Sequence, residues 1–495
     1  MALADERSDG PGQTTPSDPP RLKLGLKFFY AFGQTVESGY LTVAPFLFFY
    51  YTAVLGLSGS MVGLALAIST VIDAVLDPLI GSWSDNIRSR FGRRLPMMLM
   101  GAPLMALTLG LLFAPPLALA PFVLFLWLTV VKMALRGFAS VFNLPYFALG
   151  AEMADGYVER SSIVAWRTVA GILVGVLITI LAYSIFFSRP GGLQGQANYP
   201  PFGWTMAALC LVGGAICCLG VWRFAASLPQ PLTDRQSVLH SLGPELLEIF
   251  RNNSFRTLFF SALVIWVGIG MNATLNSHAY VFAWRIQPAT IQSITFAYLF
   301  GLLIGVPITP LLLRRMEKRS AVLLGLAMVI GTWIVLPSLR AAGVLTPTGT
   351  DALPWLASNI FFAGVGTGFL AIAYPSMMAD AADEHEVKFG ARREGLYFAG
   401  LGFASKSAAG LGQLLAGVAL DVLRFPEEAG KQVGVVLPED LIRHLMILWG
   451  PLPAILAIIS AVMLLPYVIT RTRHEDIAAS LKLKRAEDVS AGRSS

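Results

Sequence analysis

The sequence predicts an all-α integral membrane protein whose twelve transmembrane helices form two six-helix bundles. Of its 495 residues, 55% are hydrophobic and 13% are charged, whereas soluble domains carry roughly 25% charged residues. The mean hydropathy is +0.65. The apolar residues also fall in long runs, such as 261–275, 321–339 and 445–469. About 20 apolar residues cross the hydrocarbon core as a helix, because a helix bonds its own backbone polar groups.

Twelve predicted spans follow from these runs and from the polar segments between them. In chain order they cover residues 24–52, 58–83, 95–115, 121–151, 162–187, 204–227, 255–284, 290–313, 320–340, 354–381, 394–423 and 442–469. Spans 1 to 6 form the first predicted bundle, and spans 7 to 12 form the second.

Polar segments lie at both ends of the chain and in its middle. The first residues are rich in Pro, Asp, Gly and Ser, and we expect disorder there and again from about residue 474. The middle segment contains LHSLGPELLEIF, which is either a short amphipathic helix at the membrane surface or part of a solvated linker. The predicted organisation is a disordered cytoplasmic tail at 1–22, an N-terminal bundle at 23–227, a cytoplasmic linker at 228–253, a C-terminal bundle at 254–470 and a cytoplasmic tail at 471–495.

Basic residues in the loops predict the orientation of the chain. Loops after even-numbered spans are rich in them, whereas loops after odd-numbered spans hold few. The even loops carry Arg88, Arg90, Arg93, Arg94, Arg314, Arg315, Lys318 and Arg319, and the odd loops carry Arg189, Arg285 and Arg340. We therefore expect the even loops and both termini in the cytoplasm. A multi-pass protein of the plasma membrane, most simply a bacterial inner membrane, is the expected setting.

Several functional classes are disfavoured by the sequence. The net charge is +6, but the basic residues lie in loops without interleaved aromatics, so no nucleic-acid partner is expected. The three cysteines, Cys210, Cys217 and Cys218, share span 6, which argues against a disulfide framework. No histidine pairs with a glutamate in a zinc motif, so neither an enzyme nor a cofactor is expected. A sensor or scaffold that retains the fold is an open alternative.

The two halves of the chain resemble each other weakly. An offset of 230 residues carries the basic loop at 84–94 onto the loop that begins at Arg314. The same offset carries NLPYFALGAEMAD, which begins at Asn143, onto the region of AYPSMMADAADEHE, which begins at Ala373. Internal repeats of this kind are typical of transporters, whose binding site lies at the repeat interface.

Span 2 contains two aspartates within the predicted hydrocarbon region. Asp73 and Asp77 are four residues apart, so both carboxylates face one side of the helix. Asp73 is about ten residues from the end of the span, or roughly 15 Å along a helix. Because adjacent carboxylates repel and hard cations prefer oxygen ligands, we predict that this pair binds a coupling cation. The alternative is an interfacial pair that reaches water.

Two further charged residues lie deep in other spans. Glu37 in span 1 is either a site residue or an interfacial glutamate. Lys406 in span 11 is about 18 Å from the end of its helix, which is far for a side chain to reach water. We predict that Lys406 faces carboxylates of the first half and pairs with them across a central cavity. There it either contacts solute oxygens or substitutes for an absent cation. The alternative is a lysine in a small internal water pocket.

Spans 4 and 5 offer polar and aromatic groups. Ser140 can lend a hydroxyl to a bound ion, and Asn143 can both donate to and accept from sugar hydroxyls. Equally, both can bond neighbouring helices. Arg167 is either a site residue or an interfacial one, and aromatic residues such as Tyr40 and Phe147 either stack on a sugar ring or pack.

Charged residues near the even loops form a second candidate constellation. It comprises Asp85, Arg93, Glu152 and Asp383. A solvated face is one interpretation. The other is a cytoplasmic gate of salt bridges that close in one state and break in another.

Three motifs together resemble one transporter family. DAVLDPLIGSWSDNIRSRFGRRLP covers residues 73–96, LPYFALGAEMADGYVERSSIVAWR covers 144–167, and SMMADAADEHEVKFGARREGLYFAGLGFASK covers 376–406. They resemble the glycoside–pentoside–hexuronide:cation symporters, the melibiose permease group of the major facilitator superfamily. The order of the motifs extends the resemblance over nearly the whole chain.

The resemblance implies roles for individual residues. Asp73, Asp77 and Ser140 match the family's binding site for Na+, Li+ or H+, so the two aspartates would be the Na+ ligands if coupling uses sodium. Glu37, Asn143, Phe147, Arg167 and Lys406 match its sugar contacts. In melibiose permease the helix-1 and helix-4 acids are aspartates and the helix-4 aromatic is tryptophan. Glu37, Asn143 and Phe147 depart from that pattern, which argues against a galactoside site and favours an anionic solute such as a hexuronide.

These observations predict a secondary active transporter with the major facilitator fold. It is expected to move a sugar, glycoside or sugar acid together with Na+ or H+ by alternating access, with no other cofactor. An alternative on the same fold is a symporter of lysophospholipid or another amphipathic solute. The expected partners are this solute, the coupling cation and the lipid bilayer, and the expected state is a monomer.

Overall fold

The computed structural model describes most of the chain. Its described residues are 22–87, 89–116, 119–154, 157–228, 247–391, 393–426, 429 and 434–492. Regular structure within these ranges is helical throughout, and they contain no strand.

The helices form at the predicted places. Span 1 comprises Leu24–Ala31 and Gln34–Phe49, span 2 Gly59–Asn86, span 3 Leu95–Phe113, span 4 Pro121–Glu152, span 5 Tyr157–Ile180, span 6 Tyr199–Ser227, span 7 Asn253–His278, span 8 Pro288–Leu313, span 9 Lys318–Ala341, span 10 Leu353–Phe389, span 11 Glu394–Val422, and span 12 Glu439–Trp449 with Pro451–Leu464. In the described part, 10 helices are long and apolar enough to cross a membrane. Span 1, which is broken at residues 32–33, and span 11, which carries Lys406, complete the predicted set. The predicted fold class is confirmed.

The internal repeat is visible in irregular features of the helices. Spans 1 and 7 both end in a π-helical turn, at Tyr50–Val54 and Ala279–Ala283, whose first residues are 229 apart (279 − 50). Spans 4 and 10 both contain an internal proline, and Pro145 and Pro375 are 230 apart (375 − 145). Kinks of this kind reposition part of a helix, so the two halves share local geometry as well as sequence.

Spans 1 and 4 pack closely through small residues. A Cβ at Gly33 would lie 2.4 Å from the ring of Tyr146, and a Cβ at Gly150 would lie 2.1 Å from the hydroxyl of Tyr30. The two tyrosine rings stack with centroids 4.5 Å apart, and Tyr30 donates a hydrogen bond to the carbonyl of Tyr146. This packing fixes the face of span 1 that meets span 4, and it positions the site described below.

Among the described residues, the hydrophobic core that the two bundles share lies towards one end of the molecule. We call the end with the loops after even-numbered spans the even-loop face, and the opposite end the odd-loop face. The N-terminal bundle shares one hydrophobic core with the odd-loop part of the C-terminal bundle, including Leu275, Leu420 and Trp449. The even-loop part of the C-terminal bundle has a separate core, which includes Phe255 and Met377. The bundles are therefore joined at the odd-loop face.

The tail after span 12 corrects one prediction. We expected disorder from about residue 474, but Arg471–Gly492 is a helix. Two apolar residues one turn apart, Ile477 and Leu481, are buried, and Arg473 donates to a Glu384 oxygen over 2.9 Å. Packing against span 10 stabilises a helix that its own composition does not. Residues 1–21 of the first predicted tail and 229–246 of the predicted linker lie outside the described residues.

Candidate solute and ion pathway

Asp73 is the centre of a buried polar cluster between spans 2 and 4. Its Oδ1 accepts a hydrogen bond from the Ser140 hydroxyl over 3.0 Å. Its Oδ2 accepts one from Nη2 of Arg136 over 2.5 Å. Span 2 presents Asp73 and Asp77 one turn apart, as their spacing predicts. The three residues predicted to hold a cation therefore lie together, and cation binding itself stays a prediction.

Span 4 contributes two cations that the sequence argument did not select. Lys132 and Arg136 are one turn apart, and Arg136 is one turn before Ser140. The other terminal nitrogen of Arg136 donates to the Tyr40 hydroxyl of span 1. The buried ammonium of Lys132 lies 4.7 Å from the centre of the Tyr40 ring, a cation–π contact. The signal that identifies both residues is the one used for Asp73, a charge far from either end of a span.

Lys406 connects this cluster to the other bundle. Its Nζ lies 2.8 Å from Oδ2 of Asp77 and 3.6 Å from Oδ2 of Asp73. Span 11 therefore supplies the pairing across the bundles that was one of the two predicted roles of Lys406. Contact with solute stays a prediction. We call Asp73, Asp77, Lys132, Arg136 and Lys406 the charge cluster.

The remaining carboxylate oxygen of the pair is unsatisfied. Oδ1 of Asp77 is buried and has no hydrogen-bond partner among the described residues. Within the part of the chain that the structure describes, no three His, Cys, Asp or Glu side chains converge as in a transition-metal centre. The charged groups of this region are the two carboxylates and the nitrogen cations of Lys132, Arg136 and Lys406.

Two cavities that share lining residues lie along span 1, which also places Tyr40 against Arg136 of the charge cluster. One, of about 690 Å³, is lined by the predicted solute residues Glu37, Phe147 and Arg167. The other, of about 370 Å³, lies between the bundles. Both are lined by Thr42, Thr179, Thr295 and Tyr298. Such volumes match those of small-molecule sites.

The predicted solute residues differ in their placement. Gln34 donates to Glu37 over 2.9 Å, and the guanidinium of Arg167 lies 4.6 Å from the centre of the Phe147 ring. Asn143 does not line either cavity, and its Oδ1 is buried without a partner among the described residues. Arg167 and Phe147 thus form a combined cationic and aromatic surface, to which Glu37 adds an acceptor.

The C-terminal bundle adds amides and aromatics that the sequence argument missed. Asn272 donates to the carbonyl of Trp449 over 2.7 Å, and the Trp449 indole donates to Asn276 over 2.7 Å. All three line the cavity between the bundles, together with Trp333 and Asn359. Asparagine carries no charge, so a search for charged residues within the spans did not identify these amides. Amides and aromatic rings are groups that recognise sugar hydroxyls and ring faces.

A family model described as MFS/sugar transport protein matches residues 29–471. The chain belongs to this family.

Curated relatives and a solved structure agree with this membership in the MFS/sugar transport protein family. The isoprimeverose transporter of Lactiplantibacillus pentosus is 25% identical over 380 residues, which cover 76% of each protein. The glucuronide carrier protein homolog of Escherichia coli is 24% identical, over 77% of this chain and 80% of that protein. The crystal structure of the nucleoside transporter NupG superposes with a TM-score of 0.59 at 16% identity, covering 89% of this chain and 98% of that one, which supports the fold. The resemblance predicted from the three motifs is confirmed.

In this MFS/sugar transport protein, spans 2 and 11 close the odd-loop face. Asp421 of span 11 accepts from the backbone amides of Gly59 and Ser60 over 2.7 and 2.8 Å. These amides belong to the first turn of span 2, where the helix dipole favours an anion. Beside this cap, the backbones of Gly59 and Gly417 touch, with no room for a Cβ on either.

The even-loop face of the same MFS/sugar transport protein has polar contacts within each half of the chain. Arg93 lies 2.7 Å from Glu152 in the N-terminal bundle. Asp383 lies 3.7 Å from His474 in the C-terminal half. The fourth predicted gate residue, Asp85, has a side chain outside the described part. The predicted pairing of these residues between the bundles therefore stays a prediction for a state that is closed at this face.

Removing the Asp421 carboxylate is expected to loosen the odd-loop face. Asp421→Ala deprives two helix-terminal amides of their acceptor, which costs about 1–2 kcal/mol, or a roughly 5- to 30-fold change in the equilibrium between closed and open forms. The readout is the rate at which a Thr295→Cys probe in the cavity reacts with an impermeant maleimide from the odd-loop face. Asp440→Ala, at an exposed acid near the same face, is the control. Equal rates in both variants would contradict the capping role.

Proposed function

We propose that this multi-pass MFS/sugar transport protein is a secondary active transporter of a sugar, glycoside or sugar acid, coupled to a cation. The single observation that carries the proposal is that span 1 contributes residues both to a cavity between the bundles and to the surroundings of the charge cluster. Glu37 and Thr42 of span 1 line a cavity that also includes Phe147 and Arg167. Between them, Tyr40 of the same span accepts a hydrogen bond from Arg136 of the charge cluster, and Lys406 of that cluster bridges the bundles. Names of relatives, such as an isoprimeverose transporter and a glucuronide carrier homolog, support the solute class.

Alternating access links these elements. Rocking the bundles apart at the odd-loop face separates Lys406 from Asp77, because the two residues lie on different bundles. A cation that binds the Asp77 carboxylate after Lys406 has moved away replaces the lost positive charge in the state that is open at the odd-loop face. Solute and cation then favour the same conformation, which is reciprocal coupling and typically amounts to about 1–3 kcal/mol.

The setting of the transporter is also part of the proposal. The even-loop face and both termini lie in the cytoplasm of a bacterial inner membrane, so the described state is open inward. The chain works as a monomer, carries out no covalent chemistry and needs no cofactor besides the coupling cation. The basic residues in the even loops support this orientation.

Uptake into proteoliposomes tests the proposal. Purified protein is offered radiolabelled neutral glycosides, hexuronides and lysophospholipids, under a Na+ gradient, a pH gradient or neither. We expect a sugar or sugar acid to accumulate above its equilibrium level under one of the gradients, and Asp73→Asn or Asp77→Asn to abolish that accumulation. Accumulation of lysophospholipid alone would favour the amphipathic-solute alternative, and full coupled uptake by both variants would refute the ion-site assignment.

Arg167 provides a sharper test of the solute site. Arg167→Gln removes a charged donor from the cavity and is expected to lower uptake at limiting solute roughly 10- to 100-fold. Arg189 is a matched control, because its guanidinium lies 5.3 Å from the Phe186 ring and it lines neither cavity. Arg189→Gln should transport normally, and a similar loss in both variants would exclude a specific role for Arg167.

A further inference from the structure

The cation site implied by the family contains a protein cation in this chain. The guanidinium of Arg136 lies against Oδ2 of Asp73 at 2.5 Å, and the Ser140 hydroxyl takes Oδ1. A sodium or lithium ion binds through oxygen ligands, and a carboxylate that is already engaged on both oxygens offers it little. The ion would also lie beside a fixed positive charge, which repels it.

Arg136 is held so that it cannot easily leave Asp73. Its second terminal nitrogen donates to the Tyr40 hydroxyl, and Lys132 lies over the Tyr40 ring on the same side. The guanidinium is thus fixed between spans 1, 2 and 4. All three spans belong to the N-terminal bundle, so movement of one bundle against the other does not break the pair.

The formal charges of the cluster residues on the N-terminal bundle also disfavour an alkali cation. Asp73 and Asp77 carry two negative formal charges, and Lys132 and Arg136 carry two positive ones, so these four cluster residues of the N-terminal bundle sum to zero (2 − 2). Lys406 of the other bundle makes the full cluster positive by one. Even when Lys406 moves away, no net negative charge remains in the cluster to attract an alkali cation.

We propose that Arg136 is a tethered cation, which permanently takes the place of Na+ or Li+ at Asp73. This inference rests on the proposed function, and it narrows the coupling cation of that function by excluding alkali ions from the paired aspartates. Lys406 is then the exchangeable partner of the cluster and Arg136 the permanent one. Without Arg136, the remaining cluster residues of the N-terminal bundle, Asp73, Asp77 and Lys132, have a net formal charge of −1 (1 − 2). That charge and the freed Asp73 oxygen together create an alkali-ion site.

Ion binding to the purified, solute-free protein tests this proposal. Radioactive sodium binding is measured by equilibrium dialysis, and the thermal midpoint is compared in sodium chloride and choline chloride at equal ionic strength. The wild-type protein should show no saturable sodium binding and no sodium-specific shift. Arg136→Ala should gain both, Arg136→Lys should gain neither, and Arg136→Ala combined with Asp73→Asn should lose the gain.

Each outcome decides the question. Saturable sodium binding by the wild-type protein that Asp73→Asn abolishes would overturn the proposal, as would a folded Arg136→Ala protein that binds no sodium. If Arg136→Ala does not fold, Arg136→Gln replaces it, because glutamine keeps part of the side-chain volume and a hydrogen-bond donor. The absence of sodium binding by the wild-type protein is measured without any variant, so it tests the proposal in either case. Because the assay needs no solute, failure of the uptake screen would refute the proposed function without changing this result.

Discussion

Replacing Gly417 by alanine is expected to hold the two bundles apart at the odd-loop face and to abolish most transport. A Cβ at Gly417 would lie 2.0 Å from the carbonyl oxygen of Gly59 and 2.6 Å from its carbonyl carbon. Both atoms are backbone atoms in the first turn of span 2, so no side chain can rotate away. The helices must separate instead, which also breaks the hydrogen bonds from Gly59 and Ser60 to Asp421.

The expected size of this effect is large. Overpacking a tight contact costs about 1–3 kcal/mol even where side chains can adjust. Added to the loss of the Asp421 cap, the closed state should lose about a hundredfold or more of its population relative to the open state. Transport requires both states, so turnover should fall by a similar factor while solute can still bind to the open form.

Distance measurement by pulsed electron resonance tests this prediction. Spin labels at Ser188 and Val436, both exposed near the odd-loop face, report the separation of the bundles there. The three native cysteines are buried, which limits background labelling. Gly417→Ala should shift the distribution to longer distances. Gly402→Ala on the same span is the control, since nothing lies within 4 Å of its added Cβ. An unchanged distribution in folded Gly417→Ala would contradict the tight-contact argument.

Much of the fold could be predicted because membrane thickness constrains helix length. Span 11 was expected at 394–423 and is found at Glu394–Val422, whereas span 10, expected to end at 381, continues to Phe389. The π-helical turn at Tyr50–Val54 was not predicted, since no proline or glycine lies within it to signal a change in winding. The C-terminal helix was missed for a different reason, because its stability comes from contacts of Ile477 and Arg473 rather than from its composition.

The candidate site was predicted in part. The pairing of Asp73 with Ser140 agrees with the spacing and the family resemblance. The pairing of Asp73 with Arg136 requires the rotation of span 4 relative to span 2, which depends on packing such as that of Gly33 against Tyr146. Whether the bundles close at one face or the other is not encoded by periodicity at all, since one sequence must support both states.

The Asp73–Arg136 pair gives the prediction with the largest effect on stability. Asp73→Asn leaves the Arg136 guanidinium buried without a counter-charge, and breaking a buried pair in this way costs about 3–5 kcal/mol. The pair is well shielded, because the side chains of Asp73 and Arg136 are only 5% and 14% exposed. The Asp77–Lys406 pair is a natural comparison, with side chains 20% and 50% exposed. Solvent screens that pair, so Asp77→Asn should cost about 1 kcal/mol or less.

A double-mutant cycle separates the loss of the Asp73–Arg136 interaction from the cost of leaving the Arg136 guanidinium buried without a counter-charge. Asp73→Asn combined with Arg136→Gln removes both charges and leaves two amides that can hydrogen-bond. This double variant should therefore recover much of the stability that Asp73→Asn alone loses, as read from unfolding midpoints in detergent. If the double variant were as unstable as the sum of its single variants, Arg136 would not be the partner that Asp73 stabilises. Arg136 could then not take the place of a bound ion at Asp73, because an arginine with no energetic coupling to that carboxylate does not neutralise it.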